Sequence, residues 1–383
     1  MAWTAKATYD NFALIGEDVS PIVRNYSPFD TPLLDLLPEA PFAAMSTDHQ
    51  WTEESLGPDT LVTSTAINSV NTATSGVTIN GFGNQLQVGM LLEIQSNVAG
   101  VANEIVQIAS IPGVNSLLLT RQFASSPMNS LVVGGELTVI STAELEGSTT
   151  TGDVNRPRTR RRNYLQIFKK PVTITGTDRA VMYSPDLGDE FDHQVVLRTR
   201  ELMRDVEKAV FRGRLSGNSI GSATAYRTMD GLRGFITGIN SAIVATSFAA
   251  DPLLYTNNLL QSSWNVGQRG LDILVAGAQW KRELSAVAST SRVVSDSQND
   301  SRIVQFKDYL QTDFGTVRLL MSPWLNNREM FGLSSKDIFV PPLRGRSFAK
   351  EDIAKTGDAT VAHVIGEYTL EIHHPDMMFR AFA

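Results

Sequence analysis

The chain has 383 residues, 42% hydrophobic and 19% charged, a composition that suits a folded globular protein. It contains no cysteine, so disulfides, thiolate metal sites and cysteine nucleophiles are excluded. The net charge of −7 argues against a general nucleic-acid binder. No apolar run approaches the roughly 18–20 residues a membrane span needs, and MAWTAKATYDNF lacks the basic and apolar regions of a signal peptide.

The charge is unevenly spread. Residues 1–60 carry two basic side chains against ten carboxylates, a net of −8, and residues 61–150 carry Arg121 against five, a net of −4. Residues 151–220 carry fourteen against nine, a net of +5. An acidic end and a basic middle point to segments that meet each other, within one chain or between chains.

Residues 1–50 read as an arm with short helices. Ser20-Pro21 and Thr31-Pro32 each pair an N-cap residue with proline at the first helical position. The second helix ends by Leu37, because Pro38 disfavours a helical residue before it. Burying the arm's apolar side chains does not offset the cost of ordering its backbone, so the arm needs a surface to lie on.

Residues 61–143 are nearly free of charge. GVTI, LQVGMLLEI, NEIVQIASI, SLLLTRQF and ELTVIST read as strands between turn signals, which predicts a small inserted β-barrel or sandwich. The basic run RPRTRRR (156–162) follows, then the extended stretch YLQIFKKPVTITGT. A helix is predicted over 185–212, with Ser184 as N-cap, Pro185 at the first position, acids in the first turn and Gly213 as the stop. Its 28 residues would span about 42 Å and suit a spine.

Further on, DPLLYTNNLLQSSW reads as helix, LDILVAG as a buried strand and AQWKRELSAVAS as a helix. VQFKDYL and GTVRLLMS read as hairpin strands around Thr312–Gly315, and VAHVIGEYTLEIHH returns to strand.

Catalytic patterns are scarce. The five histidines make no HExxH, and His373-His374 reads as a strand end rather than a metal site. No GxxxxGK[ST], GxGxxG or GxSxG is present. Neither a cofactor nor a metal is expected. The arginine run has three readings: a docking strip for a carboxylate-rich partner, a solvated loop, or a phosphate-binding patch. The stripe Arg200–Arg204–Lys208–Arg212 reads as a helix face neutralised by Glu201, Asp205 and Glu207.

Four blocks carry a resemblance: FALIGEDVSPIVRNYSPFDTPLLDLLP, ELEG…NRPRTRRRNYLQIF, ELMRDVEKAVFRG with RTMDGLRG after it, and AKTGDATVAHVIGEYTLEIHHPD. Together they resemble the SU-ten-like major capsid proteins of tailed bacteriophages. The resemblance implies an α+β chain with the Hong Kong 97-like capsid fold. Residues 1–50 would be the N-terminal arm and 51–165 an extended loop carrying the inserted β domain (61–143). Residues 166–229 would be a peripheral domain with its spine helix, 230–340 an axial domain, and 341–383 the return to the peripheral domain.

The implied function is non-enzymatic. The chain would assemble with itself into hexamers and pentamers of an icosahedral head around double-stranded DNA, bound without sequence specificity and with no membrane. Because the arm begins within about ten residues of Met1, a separate scaffolding protein is expected, with a portal and a decoration protein as further partners. The competing readings are an encapsulin-like compartment and a hydrolytic enzyme. The expected assembly interface comprises Phe12, Leu14, Ile15, Ile22, Val23, Phe29, Leu33, Leu34, Leu36 and Leu37 of the arm. It also includes Arg156, Arg158, Arg160, Arg161 and Arg162, which would meet carboxylates of a neighbouring subunit.

Overall fold

A computed structural model describes residues 31–54, 59–67, 74–79, 86–96, 102–144, 146–147, 158–181, 189–217, 221–236, 251–267, 269–290, 309–355 and 357–382. The chain forms two compact units, one from Met1–Trp51 with Arg162–Ala383, the other from Thr52–Arg161. Strands β1 (Asp48–Glu53) and β8 (Thr159–Tyr164) pair as a two-stranded ribbon, along which the chain passes into the second unit and back.

The Thr52–Arg161 unit is built on strands β2 (Thr60–Val62), β3 (Thr74–Thr78), β4 (Met90–Ile94), β5 (Glu104–Gly113), β6 (Ser116–Thr120) and β7 (Glu136–Thr142). They form one sheet in the order β2-β7-β4-β5-β6-β3. Its ends meet: Thr63 bridges Ile79, and the Ser64 N–H donates to Thr78 O at 2.7 Å. The sheet therefore closes on itself as a barrel. Alternation along the strands sends Leu61, Val77, Leu92, Ile94, Val106, Ile108, Leu117, Leu119 and Leu137 inward. Of the barrel and sandwich alternatives, the barrel is the one formed.

One polar network interrupts that interior. Glu104 and Arg121 are fully buried and joined by two parallel bonds, Nε–Oε1 at 2.6 Å and Nη2–Oε2 at 2.5 Å. Arg121 Nη2 also donates to Asn129 O, while the N–H groups of Gln122 and Asn129 donate to the Glu104 carboxylate. This satisfies both charges and fixes the loop between β6 and β7. That loop holds Gln122, Ala124 and Ser125 in the left-handed region.

In the other unit, β9 (Gln166–Thr175), β15 (Ala349–Ile353) and β16 (Ala359–Tyr368) form a sheet in the order β15-β16-β9. The long helix α3 (Glu190–Arg212) packs on it. Asp189 caps α3 by accepting from the Phe191 N–H at 3.1 Å. The capping residue is extended, so α3 starts five residues later than the sequence predicts, and its 23 residues span about 35 Å. The expected cap, Ser184, and Pro185 lie outside the described residues. Gly213 ends the helix as expected, but through close packing: a Cβ there would meet Ala209 O at 2.5 Å and Met229 O at 2.8 Å.

A second sheet runs β11 (Tyr309–Thr312), β12 (Gly315–Met321), β10 (Ile273–Ala276), β13 (Glu329–Leu333), β18 (Phe379–Phe382) in that order. β10 is parallel to β12 and the other pairs are antiparallel. β10 reads ILVA and is buried throughout, as expected for a central strand. Helices α5 (Pro252–Gly267) and α6 (Ala278–Thr290) flank it in sequence, and α6 brings the fully buried Trp280. A short pair, β14 (Ile338–Phe339) with β17 (Glu371–Ile372), and helices α1 (Pro32–Leu36), α2 (Gly176–Ala180) and α4 (Leu232–Phe235) complete the unit.

The larger apolar core of this unit runs from Leu33 of α1 through Leu202, Val206 and Val210 of α3 to Trp280, Phe331 and Phe379, and a smaller one joins Val172, Ile174, Phe191 and Ala362. The C-terminal segment serves both sheets: β16 joins β9 while β18 joins β13. The two are continuous here because 359–382 contributes strands to each.

Candidate assembly surfaces

The expected interface residues divide into three groups. Phe12, Leu14, Ile15, Ile22, Val23, Phe29 and Arg156 lie outside the described residues, as does the helix expected at Ser20-Pro21. Leu33, Leu34, Leu36 and Leu37 lie on α1 or its end, and Arg158, Arg160, Arg161 and Arg162 lie on or beside β8.

The second group packs on its own subunit. Leu33 is fully buried in the core, and Leu34, Leu36 and Leu37 pack against it half-buried. A carboxylate holds the helix start. Glu207 of α3 is fully buried and accepts the Leu33 N–H at 3.4 Å and the Leu34 N–H at 3.3 Å. These first-turn N–H groups have no partner within their own helix, and an anion there meets the positive end of its dipole. The sequence reading put Glu207 on the outer face, neutralising the arginine stripe. It is instead turned inward beside Val206 and Val210, and anchors the arm.

The rest of the stripe behaves as a solvated face. Glu201 pairs with Lys170 and Arg198, and Asp205 with Lys170 and Lys208. Burial pushes the Glu201 carboxyl up, but the hydrogen bonds from Arg198 and Lys170 outweigh it and hold the group below its ordinary range. Arg204 and Lys208 lie over the Trp324 ring, Lys208 Nζ at 4.6 Å from its centre.

The third group finds carboxylates within its own ribbon. Arg161 Nε bonds Glu53 at 2.6 Å, half-buried, and Arg158 Nε bonds Glu54 at 3.3 Å in the open. Arg162 lies over the Tyr164 ring. Arg158 and Arg160 share a shallow polar cleft with Thr52 and Glu54.

The charged residues of the resemblance blocks do structural work that sequence reasoning missed. Glu329 is fully buried between Arg233, from RTMDGLRG, and Arg380. Glu367 is buried between Arg227 and Arg346. Glu371 takes one imidazole on each oxygen, His49 Nε2 at 2.5 Å and His373 Nε2 at 2.7 Å. Each clamp joins segments far apart in sequence. Asp230 is the exception: burial pushes its carboxyl up, against the Gly231 N–H and Arg214, and its buried Oδ1 has no hydrogen-bond partner among the described residues. The one signal in the sequence was the placement of acids inside apolar strands, as in VIGEYTLEI.

Nothing catalytic is assembled among the described residues. No group of three or more His, Asp or Glu there could hold a metal, and no described helix is long and apolar enough to cross a membrane. His374 takes a left-handed turn at the strand end, so the His373-His374 pair is split between a carboxylate clamp and a turn.

The family profile described as SU10 major capsid protein matches residues 3–382. The chain belongs to the SU10 major capsid protein family. It is therefore the non-enzymatic major capsid protein of a tailed phage, a component of the virion that self-assembles to form the icosahedral head. Among curated proteins none matches the chain. Among solved structures, this capsid chain is similar to one from Mycobacterium phage Ogopogo, with a TM-score of 0.51 at 9% identity over 99% of both chains. It is also similar to one from Microbacterium phage Oxtober96, with a TM-score of 0.49 at 9% identity over 98% of both. A virus-like particle from Pyrococcus furiosus covers 61% of this chain and 82% of its own, at 11% identity and a TM-score of 0.34. At such identities the Ogopogo likeness speaks to the fold alone. That fold is mixed α+β, of the Hong Kong 97-like capsid class.

Proposed function

We propose that this capsid protein builds hexameric and pentameric capsomers around double-stranded DNA, held without sequence specificity. Helix α3 is the spine of a peripheral domain, and 230–340 is the axial domain at capsomer centres. Residues 51–165 are an extended loop that carries the barrel. The observation that carries this reading is the β1–β8 ribbon: two paired strands leave the larger unit together, as the stem of such a loop would. A scaffolding protein, a portal and a decoration protein are further partners in this reading.

The arm has two parts in this reading. Residues 31–37 are anchored on their own subunit through Leu33 and Glu207. Phe12, Leu14, Ile15, Ile22, Val23 and Phe29 lie along a neighbouring subunit, with Leu34, Leu36 and Leu37 at the junction. Arg156, Arg158, Arg160, Arg161 and Arg162 line the strip that meets the neighbour's acidic arm, and Arg158 and Arg161 also brace the ribbon from within. Each exposed pair contributes about 0–1 kcal/mol, and repetition across the shell multiplies it.

The test is electron microscopy with sedimentation of the full chain and of a variant lacking Met1–Asp30. The cut stops before Thr31 so that Leu33 stays in the core. Shells or capsomers that are lost on deletion, with an unchanged thermal transition, support the reading. Shells that form equally well without residues 1–30 overturn it. If both chains stay monomeric, the comparison is repeated with the phage's scaffolding protein co-expressed.

A further inference from the structure

The larger unit carries an apolar groove of about 570 Å³, a volume within the range of sites that hold a bound group. Leu37, Pro41 and Phe42 reach it from the base of the arm, Met203 from α3, and Val340 and Phe348 from the stretch before β15. Phe42 is 38% exposed and Met203 40%. One such side chain on a surface is ordinary, but several lining one groove mark a binding surface. The groove is also preorganised. Leu33 and Glu207 pin the start of α1, and Pro38 and Pro41 fix the backbone that follows it. Ser347 Oγ and Tyr368 Oη, 3.1 Å apart among the lining residues, offer hydroxyls to a passing backbone.

The reach of the arm selects the occupant. FALI (12–15) is the longest apolar run of residues 1–30. The arm leaves its own subunit beside this groove, since Leu34 and Leu37 line it. From one groove to the next is therefore one subunit spacing. A unit of this size has a radius of gyration of about 18–19 Å, so equivalent points on two touching copies stand about 45–50 Å apart. Ile15 precedes Thr31 by sixteen residues, which span at most about 53–58 Å. Ile22 and Val23 precede it by nine and eight, at most about 26–32 Å, and fall short.

We propose that Phe12, Leu14 and Ile15 of each subunit occupy this groove on the adjacent subunit. The proposal rests on the reading of the arm given above and names the surface that receives it. Plug and groove are different surfaces, so the contact is heterologous, and repetition around a ring fills every groove. Leu34 and Leu37 of the receiving subunit line the groove, so each docked arm packs on the base of the next.

The test uses two full-length chains, one with Leu14→Cys and one with Met203→Cys and a tag that changes its mass. The protein has no cysteine of its own, so a disulfide of mixed mass joins two subunits. The two chains are co-expressed with the phage's scaffolding protein, oxidised and separated on a non-reducing gel. The control pairs Leu14→Cys with Tyr226→Cys, an exposed position outside the groove. Mixed dimers should exceed the control by about tenfold or more, because docking holds the two thiols at high effective concentration. Ser347→Cys, exposed on the groove, should give the same result and serves where Met203→Cys fails to fold. Mixed dimers no more abundant than in the control overturn the proposal. So does an internal disulfide in a chain carrying both Leu14→Cys and Met203→Cys, which puts the subunit's own arm in the groove. The chain lacking Met1–Asp30 keeps the two ideas apart. Assembly lost on deletion, with no mixed disulfide, refutes this groove as the arm's receptor and leaves the arm's role standing. Assembly that survives deletion refutes the reading of the arm itself.

Discussion

Replacing Arg121 by methionine tests the energetics of the barrel interior. The substitution keeps an unbranched side chain of similar length but deletes the bonds donated to both Glu104 oxygens and to Asn129 O. It leaves a fully buried carboxylate with only the Gln122 and Asn129 N–H groups. Breaking one side of such a pair costs about 3–5 kcal/mol. For a unit of this size each kcal/mol moves the midpoint by about 4 °C, so the barrel transition should fall by about 12–20 °C. Calorimetry of the full chain should show this shift with little change in the transition of the other unit. The double variant R121M/E104Q removes the stranded charge and should recover part of the loss.

The pH response supplies a sign. Burial pushes the Glu104 carboxyl up, but the Arg121 hydrogen bond and the two backbone N–H groups outweigh it, so the folded group sits below its ordinary range. Wild-type barrel stability is therefore full above the unfolded value, about 4.3, and is lost as pH falls through the depressed folded value. In R121M, burial dominates and the folded group is raised instead. The folded state then binds the proton more tightly than the unfolded, so the variant gains stability as pH falls. A shift under about 1 kcal/mol, a double variant no better than the single, or the same pH slope in both proteins would refute the reasoning.

Glu207→Ala strands the Leu33 and Leu34 N–H groups at the start of α1. It should destabilise by about 1–3 kcal/mol and speed hydrogen exchange at those two amides while those of β10 stay protected. Leu33→Ala should cost about 2–5 kcal/mol in urea denaturation, the magnitude of a core leucine rather than of a surface arm. Gly332→Ala drives a Cβ into the Phe379 ring. It should cost about 1–3 kcal/mol, read as a lower thermal midpoint, and Phe379→Leu in the same chain should relieve part of it.

The elements with a strong local pattern were legible. The long helix α3, the ILVA strand with its following helix, and most strands of 61–143 follow from periodicity and turn residues alone. Legibility failed where a tertiary partner decides the outcome. The start of α3 was drawn to Ser184-Pro185, because Asp189 gives no sign in the sequence that it will be extended and bonded to Arg179. Glu207 was placed on the helix surface, since helical spacing cannot tell an inward carboxylate from an outward one until α1 supplies its N–H groups. The arginine run was read as a docking strip for a neighbouring subunit's carboxylates, whereas Arg158 and Arg161 pair within the chain, about a hundred residues back, with Glu54 and Glu53. Strand pairing between β1 and β8 brings them together, and no local window contains it.

The ribbon also bears on how such a chain can change over evolutionary time. Because β1 and β8 are hydrogen-bonded neighbours, the two ends of the Thr52–Arg161 segment stand about one strand spacing apart, roughly 4.8 Å. The larger unit meets the same pair of strand ends whether a barrel or a two-residue hairpin joins them, and lengthening a connection between fixed ends costs little, about 0.6 kcal/mol per doubling. Whatever lies beyond the ribbon is thus a cassette. Its sequence can drift, shrink or be exchanged for another module without disturbing the Leu33–Phe379 core, and barrel and scaffold can answer to different selective pressures.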